Sequence, residues 1–208
     1  MDRLAATLRA AVDDELVGLL ERYLPIACLS PDFVPGHGST PEIEEAIDLF
    51  AAWAAARPLE GATVTVQRLP GRTPALVVDV PATSTEPTGT VLLYGHLDKQ
   101  PPLGSWSDGL DPFTAVRRGD LLFGRGAADD GYALPTALLA IEAIDAAGLA
   151  RGRASCSSRP PKSLGAPTSP PTSTSCSPRP TAWTSWSASI QGPSTTTASG
   201  SPPRCGAT

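Results

Sequence analysis

The sequence predicts an α/β sandwich with a mixed sheet over residues 1–150, followed by a disordered tail over 151–208. Three observations carry this. Hydrophobic spacing alternates between the helical period and short apolar or alternating runs along the first 150 residues. Charge breaks sharply: 1–150 holds all 21 Asp and Glu against 10 Lys and Arg, net −11, whereas 151–208 holds 6 basic residues and no acid. Composition breaks at the same place, because 151–208 contains 14 Ser, 9 Thr and 10 Pro, over half of that segment. So many breakers and so few apolar residues predict no core, and disorder from about residue 152 onward.

The elements follow in order. Leu4, Leu8, Val12, Leu16 and Leu19 recur at helical spacing, so Asp2 to about Leu24 reads as a helix that Pro25 stops. Pro31, Pro35, Gly36 and Gly38 mark a loop in which His37 reads as a solvated residue. Thr40 is placed to cap a second helix. Pro41 suits its first turn, and Glu42 and Glu44 suit the positive end of its dipole. It runs to about Ala56. Alternation over Ala62–Leu69 predicts a half-buried strand. Ala75–Val80 and Val91–Tyr94 are apolar runs that suit buried strands, and Asp120–Phe123 is a fourth. Tyr132 to about Ala147 is a helix that ends at Gly148.

Several classes are excluded. The acidic front repels phosphate, which argues against nucleic acid as a partner. No apolar run approaches the roughly 20 residues that cross a bilayer, so no membrane partner is expected. Acids at Asp2, Asp13, Asp14, Glu15 and Glu21 do not fit a signal peptide, so the expected location is cytoplasmic. Cys28 stands alone, and Cys156, Cys176 and Cys205 match no zinc, redox or disulfide spacing.

Two motifs carry chemistry. His96 and Asp98 follow the strand Val91–Tyr94 at i and i+2, which puts both side chains on one face of the strand end. Strand ends of open α/β sheets are where ligands bind. A metal-bound His commonly has its second nitrogen held by a carboxylate, and Asp98 can serve there or touch the metal directly. The second motif runs Gly124-Arg125-Gly126-Ala127-Ala128-Asp129-Asp130-Gly131, a strand, a glycine turn and an acidic pair before a helix. A carboxylate at that junction can bridge two cations, whereas a phosphate loop would not carry an acidic pair. Taken singly, each motif has a bland reading. An H-x-D is often a satisfied structural pair, and Asp after Gly-x-Gly is usually a turn or cap. Asp130 itself reads as a turn or cap residue, Arg125 as a tie to backbone or a carboxylate, and Trp106 as loop packing.

Together the motifs resemble a known family. The run Val91 to Pro102 containing Gly95-His96-Leu97-Asp98-Lys99-Gln100-Pro101, then Trp106, Asp111-Pro112-Phe113 and Gly119 to Gly131, is similar to the zinc metallopeptidases. That family includes acetylornithine deacetylase, succinyl-diaminopimelate desuccinylase, aminoacylase, glutamate carboxypeptidase and carnosine dipeptidase. The resemblance covers roughly residues 1–150 and implies an incomplete three-layer sandwich with a mixed central sheet. It implies His96 as a ligand of one zinc, Asp98 as the residue that orients and polarises it, and Asp129 as a bridge between two zincs. Cobalt or manganese could replace zinc. It implies a small peptide or N-acyl amino acid as substrate, with Lys99-Gln100-Pro101 nearest the dipeptidase branch. A homodimer belongs to the intact family and is not expected of this chain.

The family also needs a Glu-Glu pair, a further carboxylate ligand and a second distant His. This chain has two His in all and no acid after Asp145. A change of reading frame accounts for that. With GC-rich codons and chosen wobble bases, joining each codon's third base to the next two bases can turn Ser155–Ser163 into Val-Leu-Ile-Glu-Ala-Ala-Glu-Glu. Ser163–Ala166 then continues as Ser-Gly-Ser. Ala182–Gly192 becomes Val-Asp-Leu-Val-Val-Cys-Leu-Asp-Ser-Gly. The Asp formed at Trp183 and Thr184 is forced, since Trp has a single codon. The expected product is a truncated and inactive hydrolase. The alternative is a non-enzymatic α/β domain with a Pro-rich interaction tail, for which Arg159-Pro160-Pro161-Lys162 is the only hint. A chain lacking half its sheet is also expected to expose an edge and to aggregate.

Overall fold

The computed structural model describes residues 2–34, 38–86 and 89–158. His37 and the tail from residue 159 lie outside the described residues, as does the expectation of disorder there.

Helix α1 (Asp2–Ala11) passes through a π-helical turn at Val12–Leu16 into α2 (Val17–Tyr23), so the predicted single helix is one continuous rod with a widened turn. Helix α3 (Pro41–Ala55) starts as its sequence dictates: Thr40 Oγ1 accepts a hydrogen bond from Ile43 N at 3.3 Å, and Pro41 occupies the first turn. Strands β1 (Thr63–Gln67), β2 (Ala75–Val80) and β3 (Thr90–Gly95) fall where alternation and apolar runs predicted them. A two-stranded ribbon, β4 (Val116–Arg118) and β5 (Leu121–Phe123), precedes α4 (Ala133–Ala146). Only β5 of that ribbon was read from the sequence.

The last described element, β6 (Arg153–Ser158), corrects the expectation of disorder from residue 152. It lies inside the main sheet, whose order is β1-β2-β6-β3. It runs antiparallel to β2, with Val78 opposite Cys156, and parallel to β3, with Leu93 opposite Cys156. Composition misled because a strand flanked on both sides has its backbone groups satisfied by its neighbours, whatever its side chains are. Small side chains at Ala154, Cys156 and Ser158 are buried under the helices. Arg151, at the boundary drawn from composition, is also part of the domain. It donates to both Asp145 carboxylate oxygens at 2.6 and 2.7 Å and to Pro81 O at 2.6 Å. The folded region thus extends at least to Ser158.

The sheet is mixed, as expected, and helices cover one face. The core joins Leu19, Tyr23 and Leu24 of the first rod and its end, Ile47 and Phe50 of α3, Leu76, Val78 and Val80 of β2, and Leu138 of α4. Tyr23 and Phe50 meet edge to face with ring centroids 5.1 Å apart. Among the described residues no helix lies on the opposite face. β3 is an edge strand, and the exposure of Val91, Leu92 and Tyr94 at 59%, 50% and 58% corrects the expectation of a buried strand, because an edge has a neighbour on one side only. Among the described residues the architecture is thus two layers of an α/β sandwich, helices over one face of a mixed sheet. Among the described residues no helix is long and apolar enough to cross a membrane.

Candidate metal centre

The site lies where β3 ends and α4 begins. After Gly95 the chain stays extended through His96-Leu97-Asp98 and then makes a parallel bridge between Leu29 and Lys99. The Gly124–Gly131 turn comes up beside it. Gly131 N donates to Gly126 O at 2.9 Å and closes a loop that holds Ala127 to Asp130. The Asp129–Asp130 peptide bond within it is cis.

All three residues singled out in the sequence meet here. His96 Nε2 lies 3.0 Å from Asp129 Oδ1. His96 Nδ1 lies 3.1 Å from Asp98 O and 3.3 Å from Asp98 Oδ1. A carbonyl oxygen only accepts, so Nδ1 carries a proton, and in the neutral ring the Nε2 lone pair faces the Asp129 side. The Asp129 side chain is 65% exposed and that of Asp98 is 1% exposed. Neither carboxylate oxygen of Asp98 has a hydrogen-bond partner, because Nδ1–H points at the backbone carbonyl rather than at Oδ1. The contact between the two side chains is electrostatic.

Charge follows this geometry. The Asp98 carboxylate beside Nδ1 is the largest cause that raises the His96 pKa to about 9; burial opposes it, and Asp129 adds to it. Asp130, read as a turn or cap residue, ties its loop to the His96 backbone instead. Its Oδ2 accepts from His96 N at 3.3 Å, and burial raises its pKa. Arg125 does not tie down a carboxylate among the described residues. Its guanidinium lies 5.8 Å from the Trp106 ring, its backbone N donates to Pro112 O, and its Nε is buried without a partner.

Two donors converge, an imidazole and a carboxylate, which suits zinc chemically. The Asp98 backbone carbonyl takes the Nδ1 proton and its buried carboxylate lies 3.3 Å away, so the ring is held from behind as a metal-ligating His is. The residues present thus fit part of a metal site. Among the described residues no group of three or more His, Cys, Asp or Glu could hold an ion.

The sequence singled out these three residues but missed what supports them. Lys99 is fully buried. Its Nζ donates to Tyr23 O at 3.0 Å, Leu24 O at 3.0 Å and Ile26 O at 2.7 Å. Tyr23 Oη donates to Leu97 O at 2.7 Å, and Cys28 Sγ to the same carbonyl at 3.1 Å. Burial lowers the Lys99 pKa to about 8 and raises that of Cys28 to about 11. A Lys next to an H-x-D gives no sequence cue to such a role.

An α/β sheet with a His and an Asp converging at a strand end places two donors of metal-ligand type where such sheets bind ligands. Residues 92–155 match the profile of peptidase family M20/M25/M40. The chain is 46% identical over 52 residues to the succinyl-diaminopimelate desuccinylase of Novosphingobium aromaticivorans, covering 25% of this chain and 13% of that protein. Human carnosine dipeptidase 1 superposes with a TM-score of 0.52 at 25% identity, covering 76% of this chain and 34% of the dipeptidase. An M20 family metallo-carboxypeptidase from Sulfolobus solfataricus, at a TM-score of 0.55 and 21% identity, shares the fold over 71% of this chain and 31% of its own. The chain therefore spans about a third of the length of these solved structures.

Proposed function

We propose that this chain carries the first part of a zinc-dependent hydrolase that cleaves amide bonds of small peptides or N-acyl amino acids in the cytoplasm. The observation that carries the reading is the His96 Nε2–Asp129 Oδ1 pair, 3.0 Å apart with Asp98 buried behind the ring. His96 would hold one zinc, Asp129 would bridge to a second, and Asp98 would orient the imidazole. Bound zinc supplies an acidified water and a polarised carbonyl oxygen. The chain's own residues hold the ring in one tautomer and present one carboxylate to the open side. The dipeptidase-like branch is favoured by Lys99-Gln100-Pro101 and by the likeness to a carnosine dipeptidase.

A chain of these 208 residues is proposed to be inactive. Two donors do not complete one four-ligand zinc site, and no acid follows Asp145 to act as base. We attribute this to a change of reading frame near residues 150–154. β6 supports it. On the covered face of the sheet, β6 sets only the small Ala154, Cys156 and Ser158 beside Val80, Val78 and Leu76. Ser158 Oγ is buried without a hydrogen-bond partner. With suitable wobble bases the other frame would place Val-Leu-Ile over that strand, and the family match ends at Ser155 within it.

Metal analysis and hydrolysis of a dipeptide and an N-succinyl amino acid test this. Weak binding of at most one zinc, with no hydrolysis above buffer, is expected. Two tightly held zincs with amide hydrolysis would overturn the claim of inactivity. Absence of any zinc or cobalt binding would overturn the assignment of His96 and Asp129.

A further inference from the structure

The two donors sit on separate segments, and something must hold those segments together. The floor beneath them is built from Lys99 and Tyr23. Lys99 leaves the His96-x-Asp98 segment and runs under the Gly124–Gly131 turn. It ends with its Nζ on Tyr23 O and Leu24 O at the C-terminal end of α2, where the helix dipole is negative, and on Ile26 O just beyond it. All three ammonium protons are thereby used. Nζ also sits 3.9 Å from the centroid of the Tyr23 ring. Tyr23 runs the opposite way, from α2 back to Leu97 O, between His96 and Asp98.

The turn that carries Asp129 is seated on these two side chains. Gly126 has φ +98°, and a Cβ there would lie 2.7 Å from Lys99 Cε and 3.1 Å from Tyr23 Cε1. A Cβ on Gly131 would lie 2.4 Å from Tyr23 Cε1. The glycines at both ends of the Asp129 loop thus allow its backbone to rest on the Lys99 stem and the Tyr23 ring. One floor therefore contacts both donor segments. It touches the His96 side through Leu97 O and the Lys99 backbone, and the Asp129 side through Gly126 and Gly131.

We propose that Lys99, braced by Tyr23, is a positioning residue that sets the separation of His96 Nε2 and Asp129 Oδ1 and so the affinity and geometry of the metal held there. This rests on the reading of those two residues as metal donors. Supporting groups behind metal ligands typically change affinity 10- to 100-fold when removed.

The test is a Co2+ titration of the full chain at fixed pH, followed by the hyperfine-shifted ring protons of His96 and the visible absorption of the ion. Only His37 and His96 contribute imidazole signals, and His96→Gln assigns the second. Lys99→Met keeps the stem and removes the donors. Tyr23→Phe keeps the ring and removes the hydroxyl's bond to Leu97 O, leaving that of Cys28. Ile47→Val perturbs the core away from the floor. Lys99→Met is expected to weaken Co2+ binding at least 10-fold, and Tyr23→Phe several-fold, with altered hyperfine shifts in both. Ile47→Val is expected to leave affinity and shifts as in the parent chain. If Lys99→Met does not fold, Tyr23→Phe decides alone. Parent-like affinity and shifts in the folded variants would overturn the positioning role while leaving the metal assignment intact. An equal loss in Ile47→Val would also overturn it, since general stability would then be the cause. If the parent chain shows no Co2+ effect on His96, the metal reading fails and the positioning role falls with it.

Discussion

Replacing Gly126 by Ala probes the floor of the site with one methyl group. Two costs are expected, and the structure separates them. The first is backbone strain. Gly126 has φ +98°, and a side chain in left-handed backbone costs about 1–2 kcal/mol. The second is overlap, since the new Cβ would lie 2.7 Å from Lys99 Cε and 3.1 Å from Lys99 Cγ and Tyr23 Cε1. A free lysine stem would swing away cheaply. This one is pinned by three hydrogen bonds, and forcing an extra methyl into a packed region costs about 1–3 kcal/mol. The sum is roughly 2–5 kcal/mol, large against the ~5–15 kcal/mol that holds a domain folded. Gly71→Ala is the control. It has φ +66° with nothing within 4 Å of a new Cβ, so only the strain of about 1–2 kcal/mol applies. Urea unfolding at low protein concentration, followed by tryptophan fluorescence, measures both. If Gly126→Ala costs no more than Gly71→Ala, the Lys99 stem is not held in place and the floor is not rigid.

Three other outcomes follow from the same contacts. His96 has a folded-state pKa raised to about 9, so its protonation stabilises the metal-free chain fully below its unfolded pKa of roughly 6.5, and that stabilisation is lost as pH rises through about 9. Urea midpoints of His96→Gln should accordingly approach those of the parent chain at pH 9.5 and fall below them at pH 6; a gap independent of pH would contradict this. Ser158→Ala removes a buried hydroxyl without a partner and should be neutral or stabilising by about 1 kcal/mol, so a clear loss in the same assay would reveal a bond that Ser158 makes. Arg151→Met strands the Asp145 carboxylate that now accepts at 2.6 and 2.7 Å; a cost of about 3 kcal/mol is expected for breaking this half-buried pair, and a loss under 0.5 kcal/mol would return residues 151–158 to the tail.

Much of the fold was legible because the features that specify it are local. Thr40 and Pro41 announce the start of α3 chemically, and the alternation of Thr63 to Gln67 and the apolar run of Ala75–Val80 announce β1 and β2. The site was legible for a different reason. His96, Asp98 and Asp129 keep their spacing from strand ends and glycine turns, and those ends meet in space. What escaped depends on distant partners. Arg153–Ser158 has no apolar pattern, and its strand is defined by β2 and β3 on either side. Val116–Arg118 is three residues long and gains meaning only from Leu121–Phe123 opposite it. Lys99 reads as a surface residue by type, and only the three carbonyls at and just beyond the end of α2 make its burial intelligible. Asp130 and Arg125 belong here too: the Asp130 side chain bonds His96 N across the site rather than its own turn, and the Arg125 guanidinium, read as a tie to backbone or a carboxylate, lies against Trp106.

A change of frame at β6 would explain both a buried Ser158 hydroxyl without a partner and a candidate metal site with two donors. Sequencing the coding DNA tests this most directly. A single-base insertion or deletion near codons 150–154 should restore a long acidic frame that gives an apolar strand over Ser155–Ser158, then Glu-Glu-Ser-Gly. If no single-base change there opens such a frame, the Ser-rich strand is native to this protein and the proposal of a lost second half is wrong.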